Sequence, residues 1–430
     1  MIAFPENWQM AKINSVCEHI VDCINKTAPV VDYETPYKMI RTTNVKQGRV
    51  NLDVTRFVTE QTFIKWNRRL TPQKNDVVLT REAPLGDVGL IRSNDHVMLG
   101  QRTMLYRANP EVLDQNFLYY SLLGGILQAQ IRMLGSGSTV EHMRVPDAEQ
   151  LDVPLPPLSI QKKIAATLTT YDDLIEANNR RIQLLENMAE EIYKEWFVRL
   201  RFPGYENVKT SKGAPEGWQM LSIDSLCNLI TDGAHSSPKH VESSDYRIAT
   251  VKDMESNGFN KKTMKTISES DYRKLVKGGC KPSENDILIA KDGSYLKHVF
   301  VWRGGEGLVL LSSIAILRPD LEKISPYFLV MLLKQQSTKS MMSSYVSGVA
   351  IPRIILKDFK KMMLLVPTFD LMDRFEKEAS QIFDQMAFLE KVNQNLVATR
   401  DKLLPRLISG KLSVENLDIN FPPSMKEALA

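Results

Sequence analysis

The chain of 430 residues has only four cysteines, Cys17, Cys23, Cys227 and Cys280, with no CxxC and no Cys/His ligand spacing. That spacing excludes the common zinc modules, and reduced thiols in a cytosolic protein are the simplest account. No apolar run is long enough to span a bilayer, so no membrane partner is expected. The first residues, MIAFPENWQMAK, lack a basic start followed by an apolar stretch, so they do not read as a secretory signal. There is no GxxxxGK[ST]; the GSGST at 135–139 lacks the lysine and the strand-to-helix setting. A glycine-rich fingerprint for S-adenosylmethionine is missing, and so is the Asn/Asp-Pro-Pro-aromatic motif of amino-methyltransferases. Asn420-Phe421-Pro422-Pro423 has the wrong order for it. HExxH, GxSxG and paired-carboxylate nuclease motifs are also absent, and the six histidines stand singly. The expected catalytic residue set is therefore empty, as is the metal set.

What is present is a repeat. PENWQMAKINSVCEHIVD from residue 5 returns as PEGWQMLSIDSLCNLITD from residue 215, with ten identities in 18 positions at an offset of 210. So long a period signals a duplicated domain and not a solenoid. NDVVLTREAPLGDVGLIR (75–92) aligns with NDILIAKDGSYLKHVFVW (285–302), each reading strand, turn, strand. Two Gly/Ser loops, 135–140 and 347–350, each precede a strand and a Pro-marked boundary.

Two long helices follow the two repeats. In the first, Ile164, Leu168, Tyr171, Ile175, Asn178, Ile182, Leu185, Ala189, Ile192 and Trp196 recur at steps of four and three. Leu371, Phe375, Ala379, Ile382, Met386, Leu389, Asn393, Leu396, Arg400, Leu403 and Leu407 do the same in the second. Both are coiled-coil seams. Asn178 and Asn393 fall on seam positions near the middle of their helices. Antiparallel pairing would set them level, to fix the register. Pro405 is expected to kink or end the second helix, with Gly410 as a natural stop.

The expected fold is α+β: two tandem mixed α/β domains separated by two long helices forming an antiparallel coiled coil. The expected segments are a domain at 1–157, helix at 158–200, linker at 201–214, domain at 215–368, helix at 369–410 and a short, mildly acidic tail at 411–430.

The net charge of +4 permits a nucleic-acid partner without demanding one. Its distribution says more. Between Arg41 and Arg107 stand 12 Lys/Arg against 6 Asp/Glu, and between Lys239 and Arg303 stand 13 against 9. These are equivalent halves of the two repeats. Arg and Lys bind phosphate or pair with guanine, and Asn pairs with adenine. Candidate DNA-binding residues are Arg41, Asn44, Lys46, Arg49, Arg81, Ser138, His142 and Arg144 in the first repeat. In the second they are Lys252, Lys291, Lys297, Ser347 and Arg353. A solvated face would account for any one of these charges; the repetition of the patch raises the functional reading.

The segments PLPPLSIQKKIAATL, YDDLIEANNRRIQLLENMAEEIYKEWF and RDKLLPRLISGKL, with the PEGW start, resemble the specificity subunits of type I restriction–modification systems. The resemblance covers nearly the whole chain in its domain–helix–domain–helix order. It implies two target recognition domains, each reading half of a split, asymmetric double-stranded DNA site. It also implies a helical spacer on which two methyltransferase subunits dock, joined by restriction (translocase) subunits for cleavage. The chain itself would not be an enzyme and would bind no cofactor. S-adenosylmethionine, ATP and Mg²⁺ would belong to the partner subunits, and the setting would be cytoplasmic. The second loop departs from the first, SGVAIPR against GSGSTVEHMR, so loop contacts should differ between halves. Two other readings compete: a self-contained methyltransferase or nuclease with an unrecognised motif, and a coiled-coil interaction scaffold with no DNA role.

Overall fold

The structure, a computed structural model, describes residues 4–136, 141–211, 213–293, 297–347 and 353–426. The chain packs as two compact units, Met1–Asn178 with Val392–Ala430, and Asn179–Lys391. Each joins one globular repeat to part of both long helices, so packing divides the chain across the helices and not at their ends.

In the first unit the central sheet runs in the order Cys17–Asp22, Thr103–Ala108, Val77–Arg81, Leu85–Leu90, Gly48–Val50, Val45–Lys46. A second sheet holds Arg56–Phe57, Tyr37–Ile40 and His96–Leu99, the last two parallel. The strand Gln9–Lys12 pairs antiparallel with Asp152–Leu155, which leads into the first long helix. In the second unit the order is Cys227–Asp232, Ile314–Pro319, Ile287–Ala290, Val299–Val301. Beside it lie Lys265–Thr266, Arg247–Ala249 and Leu308–Leu310, and Gln219–Ser222 pairs with Met363–Val366. These four strands follow the order of the first four in the first unit's sheet, and even the irregularity is repeated. The ladder skips Glu18 in one unit and Asn228 in the other, the same place at an offset of 210.

A buried ion pair also recurs. Arg107 grips Asp76 through two bonds of 2.8 and 2.7 Å, and Arg318 grips Asp286 at 2.8 and 2.9 Å. Each aspartate also accepts from a backbone N–H three residues upstream, Gln73 or Ser283. Both carboxylates are shut away from water, so each needs this full complement of donors. The pair ties the second strand of each central sheet to the turn that starts the third.

The long helices run Leu158–Tyr193 and Phe369–Ile408. Neither contains glycine, and their apolar stripes close the core of each unit. In the first unit Ile164, Leu168, Leu407 and Ile408 pack with Ile13, Tyr106 and Phe117. In the second, Tyr193, Phe197, Phe328 and Phe375 form an aromatic cluster with ring centroids 4.8–5.9 Å apart. Within the first unit the strands of the coil are antiparallel. Asp172 meets Arg400 at 2.6 Å, and Asn178 Nδ2 donates to Asn393 Oδ1 at 2.8 Å. Pro405 does not end the second helix, which continues to Ile408; Gly410, at φ 73°, lies just beyond. Pro405 has no N–H to give to the Asp401 carbonyl, so the helix forgoes one intrahelical bond there and still runs three residues further. The tail is not a loose end. Val414 and Met425 are buried, Lys163 donates to the Glu415 carbonyl at 2.6 Å, and Ser424 to Asp173 at 2.6 Å.

Candidate nucleic-acid interface

Strand Val77–Arg81 is buried up to its last residue, Arg81, which emerges at one end of the sheet. The chain following the first Gly/Ser loop is sewn to that edge. Met143 N–H donates to the Arg81 carbonyl at 2.9 Å, and the Arg81 guanidinium returns a bond to the Met143 carbonyl at 3.0 Å. Glu82 bridges to His142, and His142 and Ser136 exchange backbone bonds of 2.9 and 3.0 Å. Arg102 pairs with Glu82 at 3.1 Å. His142 and Arg144 are exposed, Arg144 holding Asp147 at 2.8 Å.

The second unit builds the same edge from different residues. Ile354 N–H donates to the Lys291 carbonyl at 3.1 Å. Asp292 bridges to Arg353, their side chains 2.9 Å apart, and Val346–Ser347 pairs with Arg353–Ile354. Glu82 and His142 of the first unit thus have the places of Asp292 and Arg353 in the second. The structure brings Arg81, His142 and Arg144 together in one unit, and Lys291 and Arg353 in the other.

The remaining candidates divide. Lys46, Lys252 and Lys297 are exposed. Lys252 lies on the short turn Val251–Asp253, the counterpart of Thr42–Asn44. Both turns are closed by a side chain accepting from backbone: Asn44 Oδ1 from Arg41 N–H at 2.9 Å, and Asp253 Oδ2 from Thr250 N–H at 2.8 Å. Asn44 also donates to the Val54 carbonyl and is buried, so its amide is committed to the fold. Arg41 is half-buried at the start of that turn. Arg49 pairs with Glu176 on the first long helix at 2.9 Å. Lys291 is buried against Asp232. Ser138 and the side chain of Ser347 lie outside the described residues.

Local fields follow burial. The Asp87 carboxyl is pushed up by burial, with Lys46 pulling the other way, which places that lysine's charge near the strand Leu85–Leu90. Burial and the Lys297 charge hold the His298 imidazole below its ordinary value. Burial lifts the Cys17 and Cys227 thiols to about 12, so neither is a thiolate nucleophile at neutral pH. Among the described residues no three His, Cys, Asp or Glu side chains are grouped to hold a metal ion. The edge offers exposed cations in ion pairs that water already weakens. Such pairs exchange readily for phosphate oxygens.

Residues 5–187 match the type I restriction modification DNA specificity domain. The MjaIX specificity subunit of a type I restriction enzyme from Methanocaldococcus jannaschii is 23% identical over 374 residues, 84% of this chain and 83% of that protein. The MjaVIII specificity subunit from the same organism is 23% identical over 437 residues, 96% of this chain and 95% of that one. Among solved structures, the S subunit of a type I restriction–modification system from M. genitalium shares the fold. Its TM-score is 0.52 at 18% identity, with 93% of this chain and 96% of that chain covered.

Proposed function

We propose that the chain is a specificity subunit of a type I restriction–modification system and that its own residues do the reading. It is a non-catalytic DNA-recognition and assembly subunit; methylation and cleavage belong to its partners. We take 1–157 and 215–368 as the two recognition domains. The observation that supports this assignment is the edge built twice: a basic residue at or just past the end of the same buried strand, its carbonyl bonded to the chain after a Gly/Ser loop.

Lys46, Arg81, Ser138, His142 and Arg144 would contact one half-site, and Lys252, Lys297, Ser347 and Arg353 the other. Arg41 and Arg49 would take phosphate at the margin, Arg49 by exchanging Glu176. Asn44 and Lys291, committed to internal partners, would hold the reading turns in place. Because the two edges differ in sequence, the half-sites differ and the whole site is not a palindrome. Reading from one side of the duplex puts half-site centres about one helical turn apart, roughly 10 bp. At about 3 to 5 bp per domain, an unread gap of about 5 to 8 bp remains.

Two methyltransferase subunits would dock on the long helices, where Leu184 and Met188 are exposed one turn apart and Phe388 is 66% exposed. Restriction subunits would join them, and S-adenosylmethionine, ATP and Mg²⁺ would be bound by those partners. The test is DNA binding by the chain assembled with its methyltransferase partner, titrated at rising salt. A steep fall in affinity, with a log–log slope of several units, is expected. A salt-independent interaction would favour a scaffold without a DNA role.

A further inference from the structure

The hairpin Val45–Val50 extends the first unit's central sheet. Its outer strand Val45–Lys46 and inner strand Gly48–Val50 are joined by a two-residue turn, Gln47-Gly48. The second unit keeps the hairpin as the bridge between Met254 and Phe259, with Glu255 N–H donating to the Gly258 carbonyl at 2.9 Å, but among the described residues it is not paired to the matching sheet.

Three features build it in. Gly89, where Gly48–Val50 pairs parallel to Leu85–Leu90, lies so close that a Cβ there would sit 2.7 Å from the Arg49 backbone. The Tyr119 hydroxyl, fully buried, donates to the Gly48 carbonyl at 2.8 Å. Gly48 itself has φ 80°, where a side chain would also collide with that hydroxyl. The second unit packs its hairpin differently. Val78 pairs with Gly89, and its equivalent Leu288 pairs with Phe300, whose ring packs on Phe259 at 5.5 Å instead.

The tip points to the candidate interface. Gly48 is level with Gly89, so Gln47 is level with Val88, and Arg81 with Leu85. Gln47 therefore lies toward the Arg81 end of the sheet, about 10 Å short of it at about 3.3 Å per residue. It is exposed, beside the exposed Lys46.

The turn residue is the anomaly. A two-residue turn of this hand needs positive φ at both positions, which strongly favours Asn-Gly or Asp-Gly. Here Gln47 has φ 52°. Glutamine has the same carboxamide as asparagine but does not settle into this conformation as readily. A residue that fits the turn worse, with one more methylene of reach, is a residue kept for what its end group touches.

We propose that Gln47 is a base-reading residue of the first recognition domain. Its carboxamide presents a donor and an acceptor to one adenine edge, and Tyr119, Gly48 and Gly89 fix the aim of the hairpin. The proposal rests on the reading of the chain as a DNA-recognition subunit. A carboxamide can bond the N6 and N7 positions of adenine together, which is what a discriminating contact requires.

The test uses Gln47→Asn, which suits the turn and shortens the reach. The full chain is assembled with its methyltransferase partner, and affinity is measured against duplexes in which each base pair of its methylated motif is replaced in turn. The wild type should discriminate at an A·T pair in the first domain's half-site by about tenfold or more. Gln47→Asn should lose that discrimination, leave the other half-site untouched, and unfold at the same or a higher temperature. An unchanged profile at every position, or a uniform loss across all sequences as for a phosphate contact, overturns the proposal. A wild-type complex that discriminates no base pair would instead bring down the DNA-recognition reading itself.

Discussion

Replacing Asn393 by leucine should destabilise the first unit, whereas replacing Asn178 should not. The two carboxamides share a 2.8 Å bond, but their surroundings differ: Asn178 is only 7% exposed and Asn393 is half-buried. Asn393→Leu leaves the Asn178 amide buried without this partner, at about 1–3 kcal/mol. A leucine on a half-exposed seam position returns about 1 kcal/mol. The net loss should be about 1–2 kcal/mol. Asn178→Leu puts the apolar group on the buried side, a gain of about 1.5–3 kcal/mol, and lets Asn393 turn to water. It should be neutral or stabilising. The double variant removes both polar groups from the seam and should be more stable than the wild type, while losing the device that specifies register. Thermal and urea unfolding of the full chain and its three variants gives the cycle. At about 2–4 °C per kcal/mol for a unit of this size, Asn393→Leu should melt a few degrees lower. Two equal single variants, or a coupling energy within about 0.3 kcal/mol of zero, would refute the reasoning.

Asp172 is buried among Arg400 at 2.6 Å, the Tyr120 hydroxyl at 2.7 Å and Arg92 at 3.5 Å. Asp172→Ala should cost about 3–5 kcal/mol, because Arg400 and Arg92 lose their buried partner and keep only the more exposed Asp401 and Asp173. Asp401→Ala, on the exposed side of Arg400, should cost under about 1 kcal/mol, and calorimetry separates the two. Burial raises the Glu390 carboxyl, while a 3.2 Å bond from Asn257 lowers it less. A raised carboxyl stabilises fully below its unfolded pKa, and that contribution is lost as pH rises through the folded value. Glu390→Gln should therefore melt higher than the wild type near neutrality and lose the advantage in acid; an advantage that grows on acidification would contradict it. Arg144→Ala should lower the salt slope of DNA binding by about one, as for one phosphate contact; an unchanged slope would remove Arg144 from the interface.

The duplication was legible because its signals are local. The PENW and PEGW starts and the NDVV and NDIL strands carry it, and four strands of each central sheet stand in the same order. Seam periodicity likewise placed both asparagines on one stripe. What escaped depends on partners far apart in sequence. Asp76 and Arg107 lie 31 residues apart on different elements, and nothing near either marks a buried pair that the second unit repeats. Arg49 and Lys291 read as free cations, but Glu176 and Asp232 face them in three dimensions. Asn44 has the chemistry to read a base, yet its burial and its two backbone bonds come from the turn that folds around it. The tail looked short and acidic because Val414 and Met425 are too widely spaced to show a period.

The central claim is that one chain carries two separate readers. Sequencing the methylated bases in the genome of a host carrying this chain and its partner subunits tests it most directly. The account predicts two unlike half-sites separated by a fixed unread gap, with exchange of 1–157 rewriting one half-site alone. A single uninterrupted motif, or an exchange that rewrites both halves together, would contradict it.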